Sequence, residues 1–230
     1  MNWFTGFLTS SIGQKFVMSL TGLFLILYLV IHLAGNLQLL AHDEGRSFNL
    51  YAYFMTHNPI IKTISYVLYA SFLLHAIQGW LLWRKNRAAR GVDYAVKVTR
   101  AATTTPWIAK GMAALGTIIF IFLIIHMYQF WVQMHWGDME MVQYPGAKQP
   151  VKNLYALVDF TYENVYYVIF YVISMITIGF HLWHGFQSAF RTLGLSHHKY
   201  VPVVQFLGKA YSILIPGLFA LIPVYMYFNW

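Results

Sequence analysis

His32, His75, His126 and His181 each stand inside a different long apolar stretch of this 230-residue chain. The stretches are residues 16–42, 63–83, 111–137 and 164–190, and none contains a lysine, arginine, aspartate or glutamate. An ionisable side chain at bilayer depth is costly and marks a cofactor, an ion path or a proton relay. A neutral imidazole offers one ring nitrogen to a metal while the other makes a hydrogen bond that fixes the tautomer. Four such rings, one per segment, have the form of two axial pairs, the ligation that two haem irons take. The plainer alternative is that each histidine only hydrogen-bonds between helices within the membrane.

The stretches that must position these rings dominate the composition. The chain is 59% hydrophobic and only 10% charged, with a mean hydropathy of +0.54, whereas a soluble domain carries roughly 25% charged residues. A spanning helix needs about 20 consecutive apolar residues; the four runs qualify, and residues 210–230 make a fifth. The expected architecture is an all-α membrane protein, a single domain over residues 1–230 built as a bundle of five transmembrane helices. Their expected bounds are approximately 16–41, 60–84, 107–134, 160–191 and 205–228, which leaves no room for a soluble catalytic domain. There is no cysteine, which excludes disulfides, iron–sulfur ligation and covalent c-type haem attachment. Any haem would be held non-covalently, as a b-type haem. Residues 1–15 lack a basic n-region and a cleavage site, so no removable signal peptide is read. The aromatic, uncharged segment 2–11 is expected along the membrane interface.

The net charge of +8 is unevenly spread. Between the second and third runs stand Arg84, Lys85, Arg87, Arg90, Lys97, Arg100 and Lys110 against the single acid Asp93. Arg191, Lys199 and Lys209 mark the link between the fourth and fifth. The first link is balanced (Asp43, Glu44, Arg46, Lys62), and the third holds Asp138, Glu140, Asp159 and Glu163 against two lysines. Lysine and arginine accumulate in cytoplasmic loops, so the second and fourth links are expected inside, with the N-terminus cytoplasmic and the C-terminus outside. A nucleic-acid reading of the basic stretch fails because it lies between two spanning helices. Residues 48–53 and the His57-Asn58-Pro59 turn are read as the first link, and Pro106 as the start of the third helix. Residues 144–150 are read as an extracytoplasmic loop, Gly194 as a turn, and Pro216 and Pro223 as kinks in the fifth helix.

Depth pairs the histidines. At 1.5 Å per residue, His75 and His181 lie about 13–15 Å from the charged cytoplasmic boundary, and His32 and His126 about 24–26 Å from it. The pairing is therefore His75 with His181 toward the cytoplasm and His32 with His126 toward the outside. Gly79, Gly185 and Gly35 follow three of these histidines by three or four residues, and residues so spaced share a helix face, so flat pockets are expected beside the rings. His126 has no such glycine. His184, one turn beyond His181, competes with it. His42, His57, His135, His197 and His198 fall at helix ends or in loops. Trp80, Trp83, Trp107, Trp131, Trp136 and Trp230 are expected in the interfacial belts. Arg84, Lys85 and Arg191, with Ser19 and Lys15 as weaker candidates, could pair with the propionates of the inner haem, although their default role is topological anchoring.

On these residues the chain resembles the five-helix, dihaem cytochrome b anchor subunit of succinate:quinone and quinol:fumarate oxidoreductases, respiratory complex II. The clearest stretches are Ser-Leu-Thr-Gly-Leu from Ser19, with His32 ten residues after Gly22, and Phe180-His181-Leu-Trp-His184-Gly185. The resemblance covers nearly the whole chain and implies His32, His75, His126 and His181 as haem ligands, since the family's fourth-helix ligand stands four residues before a glycine. It further implies a multi-pass subunit of the bacterial inner membrane and two partners, an FAD-bearing flavoprotein that handles the dicarboxylate and an iron–sulfur subunit. Membrane lipid, a low-potential quinone such as menaquinone, and a higher oligomer of the heterotrimer complete what the resemblance implies. Residues 84–110 are a plausible docking surface for an acidic partner. Some quinol:fumarate members carry a glutamate two residues before the fourth-helix ligand, as part of a proton path; here that position is Gly179.

Quinone chemistry moves two protons with two electrons, so its site needs titratable groups within reach. Near the outer ends of the helices, His42, Asp43, Glu44, His57, Asp159 and Glu163 are the candidates. Two other readings stay open: a proton or metal transporter that uses the histidines as relay or ligands, and a b-type subunit of another respiratory complex. Transporters more often show intramembrane carboxylates, inverted repeats and broken helices.

Overall fold

The computed structural model describes residues 2–89 and 106–229. Arg90, Asp93, Lys97, Arg100 and Trp230, with the Trp107 side chain, lie outside the described residues. A short helix α1 (Trp3–Thr9) turns at Ser10 into α2 (Ser11–Asn36), whose last turn tightens to a 3-10 helix (Leu37–Leu40). Ser10 caps α2 by accepting the Gly13 N–H, as a short oxygen-bearing side chain does before a helix. Then come α3 (Arg46–His57) and α4 (Pro59–Ala89), the latter started by Asn58 accepting the Ile60 and Ile61 N–H groups, with proline in the first turn. Helix α5 (Pro106–His126) runs on through a π-helical turn (Met127–Val132) into α6 (Gln133–Trp136). A two-stranded antiparallel hairpin, β1 (Met141–Val142) with β2 (Val151–Lys152), leads to α7 (Leu154–Tyr162), α8 (Val165–Thr192) and α9 (Val201–Asn229).

Among the described residues, five helices are long and apolar enough to cross a membrane. Large apolar side chains point outward along them, among them Leu27, Ile31, Ile77, Ile124, Ile173 and Ile213, a belt that water would not tolerate and lipid would. The fold is that of a multi-pass membrane protein. Inside the spans, the hydroxyls of Ser19, Thr21, Thr117, Ser174 and Thr177 donate to carbonyls one turn back, which satisfies them without water.

Four sequence expectations change. Residues 48–53 are part of helix α3, which at 12 residues is too short to span, so a search for long apolar runs passes over it. The fourth expected helix (160–191) is two: α7 ends at Tyr162, and Asn164 starts α8 afresh by accepting the Tyr166 N–H. The loop at 144–150 is the connection of the β-hairpin, so the chain is mostly rather than wholly helical. The third helix is interrupted by the π turn directly after His126, where a continuous α-helix was expected.

Helix α2 packs on α4 and α8, and α5 on α4 and α8. These four form a ring in which α2 faces α5, and α4 faces α8, across the diagonals. Helix α9 lies outside the ring against α8 and α2. Its approach to α8 relies on glycine, since a Cβ on Gly179 would stand 3.0 Å from the Ser212 carbonyl oxygen and one on Gly208 2.9 Å from Phe186. Helix α3, the hairpin and α7 cap one end of the bundle. Asn49, 1% exposed, holds the cap together: it donates to the Tyr144 hydroxyl and the Asn153 side chain and accepts the Tyr155 N–H. The contiguous apolar core, with Leu33, Leu39, Phe122, Tyr162, Tyr171 and Met226, lies in this capped half.

Candidate functional site

The two diagonals of the four-helix ring carry the four histidines. His32 on α2 and His126 at the end of α5 face each other with ring centroids 5.9 Å apart and planes at 86°. His75 on α4 and His181 on α8 do the same at 6.2 Å and 69°. Two imidazoles bound trans to one metal at the usual metal–nitrogen distance of about 2.0–2.1 Å have centroids about 6 Å apart. Gly22 of α2 abuts the His75 ring, and His32 lies ten residues further on, so the two levels are separated by about 15 Å along the helix. His181, and not His184, is the ring that meets His75.

At the capped level the rings sit among aromatic side chains. Tyr28 stacks on His32 at 5.2 Å, and Phe219 lies 5.5 Å from it. His126 is flanked by Phe122 at 5.5 Å and Phe130 at 5.3 Å. The Nδ1 atom of His32 lies 3.3 Å from the Tyr28 hydroxyl and 3.4 Å from the Asn36 amide. His126 Nδ1 lies 3.3 Å from the Tyr171 hydroxyl, which itself donates to Gln129 Oε1 at 2.7 Å.

The other level is plainer. His75 Nδ1 lies 3.2 Å from the Met18 carbonyl and 3.3 Å from Thr21 Oγ1. A Cβ on Gly22 would stand 3.1 Å from the His75 ring, so glycine there is what admits the imidazole. Gly185 faces open space and Gly79 is in ordinary contact with Met18. Gly35 corrects the sequence expectation: its missing Cβ makes room for Tyr51, at 2.5 Å from the would-be atom, and not for a pocket beside His32. The Nδ1 atoms of His181 and His184 are buried with no hydrogen-bond partner among the described residues.

His75 and His126 thus turn Nδ1 to an oxygen that can accept its proton, the usual disposition of a ligating histidine whose second nitrogen is oriented by a neighbour, whereas the Asn36 amide offers a donor to His32 Nδ1. Among the described residues no group of three or more His, Asp or Glu side chains is gathered as a metal site. Each level instead brings two imidazole rings together, the number of protein ligands that a haem iron takes. The residues fit that group.

The basic candidates have other contacts. Lys85 donates to the Thr9 carbonyl and to Gln14 Oε1, which ties α1 to α4. Arg84 lies over the Trp80 ring at 4.7 Å. Ser19 is buried and gives its hydroxyl proton to the Lys15 carbonyl. Arg191 is exposed at the end of α8, beside a small depression that it lines with Gln187, Gln205 and Val204.

The titratable candidates at the capped end divide into three places. His42 faces the Tyr225 hydroxyl at 3.3 Å and, with Leu39, Leu40 and Asn229, lines a shallow depression between the end of α2 and α9. Asp43 accepts from the Ser47 backbone and hydroxyl. It shares the neighbourhood of Tyr155 with Asp159, and burial together with those two carboxylates and Tyr144 pushes the Tyr155 hydroxyl up to about 12. Burial and the nearby Glu163 raise the Asp159 carboxyl above its ordinary range. Glu44 is exposed with a positive φ of 55°, and His57 stands at the far end of α3, stacked on Tyr53 at 3.9 Å. Asp43 and Asp159 share the surroundings of Tyr155 and Glu163 neighbours Asp159, whereas His42 turns to Tyr225 and His57 to Tyr53.

Sequence reasoning missed Tyr28, Asn36, Gln129 and Tyr171. Tyr28 and Asn36 flank His32 at four residues on either side, a spacing that puts all three on one helix face. Tyr171 stands six residues into α8, one turn beyond Tyr167, where it reads from sequence as one more tyrosine near a helix end. A comparison of the chain with protein-family models, with curated proteins and with solved structures finds no match.

Proposed function

We propose that the chain is a membrane cytochrome b, the anchor subunit of a succinate:quinone or quinol:fumarate oxidoreductase, and that it carries electrons between a cytoplasmic iron–sulfur subunit and membrane quinone. The observation that carries this reading is the pair of diagonal histidine couples, each about 6 Å between rings, set one above the other in a five-helix membrane bundle. Haem b, when bound, supplies a one-electron iron couple. His32 with His126, and His75 with His181, would hold the two irons. The Met18 carbonyl and the Tyr171 hydroxyl engage the Nδ1 atoms of His75 and His126, which would leave their Nε2 atoms to hold the irons, and the apolar bundle would keep water from both levels.

The basic residues 84–110 and Arg191, Lys199 and Lys209 support a cytoplasmic position for the uncapped end, in a bacterial inner membrane, with the FAD-bearing and iron–sulfur subunits beside it. The quinone then belongs at the capped, outer end, where His42 with Tyr225, or Asp43 with Asp159 and Glu163, would exchange protons with it. The chain contributes electron transfer and quinone binding; the dicarboxylate chemistry belongs to the partner subunits. A tagged chain purified from its native membrane should bring down a flavin-containing and an iron–sulfur subunit and support succinate-dependent quinone reduction or quinol-dependent fumarate reduction. Purification as a chain without either partner and without that activity would refute the assignment.

A further inference from the structure

The four histidines do not hold their second nitrogens in the same way. His75 turns Nδ1 to a backbone carbonyl, Met18 O. His126 turns Nδ1 to the hydroxyl of Tyr171, which is 4% exposed and whose oxygen lies 2.7 Å from Gln129 Oε1. A tyrosine hydroxyl has one proton, and at 2.7 Å it goes to the amide oxygen of Gln129. The Tyr171 oxygen therefore meets His126 with a lone pair and accepts the Nδ1 proton, which leaves Nε2 for a metal. Gln129 is in place to take the tyrosine proton because it lies in the π turn that follows His126, where the wider backbone turn re-aims side chains; such turns are frequent at functional sites.

We propose that Tyr171, polarised by Gln129, is a positioning residue that sets the reduction potential of the His32–His126 centre and makes it unequal to the His75–His181 centre. This rests on the ligand assignment proposed above. A hydrogen bond accepted from the ligand's distal nitrogen raises ligand basicity and so favours the oxidised iron. The Tyr171–Gln129 pair differentiates the two centres with side chains, whereas the Met18 carbonyl is fixed by the helix.

The test is a redox titration of the purified protein, followed by visible absorption and electron paramagnetic resonance, on the parent, Tyr171→Phe and Gln129→Leu. The centre concerned is the one whose signal His126→Ala removes. Tyr171→Phe should raise its potential by about tenfold in the reduction equilibrium, which is 59 mV for one electron. Gln129→Leu should move it in the same direction by less, and the other centre should not move in either variant. If Tyr171→Phe fails to assemble, Gln129→Leu alone decides. Potentials unchanged in the variants that assemble, or both centres shifted equally, would overturn the inference while leaving the ligand assignment standing. A parent protein without haem absorption would overturn the ligand assignment itself.

Discussion

The two histidine levels are built from different materials. At the capped level the rings are wedged among Tyr28, Phe122, Phe130, Tyr171 and Phe219, inside the only contiguous apolar core among the described residues. At the uncapped level His75 is oriented by a backbone carbonyl, admitted by Gly22, and neighboured by Gly185 facing open space. One level is fixed by packing and the other by the absence of side chains. Substitution should therefore break them in different ways: the uncapped level by adding atoms, the capped level by removing them.

Loss of a ligand gives the largest effect and breaks the symmetry between the levels completely. Replacing His32 or His126 by alanine should remove one haem absorption and leave the other, and replacing His75 or His181 should do the converse. His184→Ala should leave both, and a spectrum that loses a haem in His184→Ala but not in His181→Ala would reassign the α8 ligand.

Added atoms come next. Gly22→Val pushes a side chain against the His75 ring, 3.1 Å from the would-be Cβ, and should deplete the uncapped haem while sparing the capped one. Gly35→Val, which meets Tyr51 instead, should cost about 1–3 kcal/mol of stability through overpacking and leave both haems bound. The pair is read by haem content and thermal denaturation in detergent.

Removal of atoms from the cap acts on stability and spares the uncapped level. Asn49→Ala strands the Tyr144 hydroxyl, the Asn153 side chain and the Tyr155 N–H, at a cost of about 3 kcal/mol. Limited proteolysis should cut α3, the hairpin or α7 faster while the uncapped haem is unaffected. The mildest effect concerns Asp159, whose carboxyl is raised by burial and by Glu163. A raised carboxyl favours the protonated folded state, so its contribution is present in acid and is lost as pH rises through the folded value. Asp159→Asn should melt slightly higher than the parent at neutral pH, and the gap should close below the ordinary carboxylate range.

Much of this was legible in the sequence. Five apolar runs require five spans, and four ring depths counted from the charged boundary give the two pairs that meet across the diagonals. Residues 48–53 were not legible as a helix because α3 has only 12 residues, well short of the run a spanning helix needs. Asn164 cut the fourth helix in two, a cap that hydropathy averages away. Glycines three or four residues from a histidine were too coarse a guide: Gly35 serves Tyr51, and the glycine that abuts His75 is Gly22, on another helix. The Tyr171–Gln129 contact depends on which helices face each other and on a π turn, and neither has a local sequence signal strong enough to read alone.

The central claim is that each histidine pair binds one haem. The most direct measurement is the pyridine haemochrome of the purified protein together with its dithionite-reduced minus oxidised spectrum. Two haem b per chain are expected, with the sharp α-band of low-spin, six-coordinate iron. A colourless protein, or one that retains no haem through purification from haem-replete membranes, would contradict it.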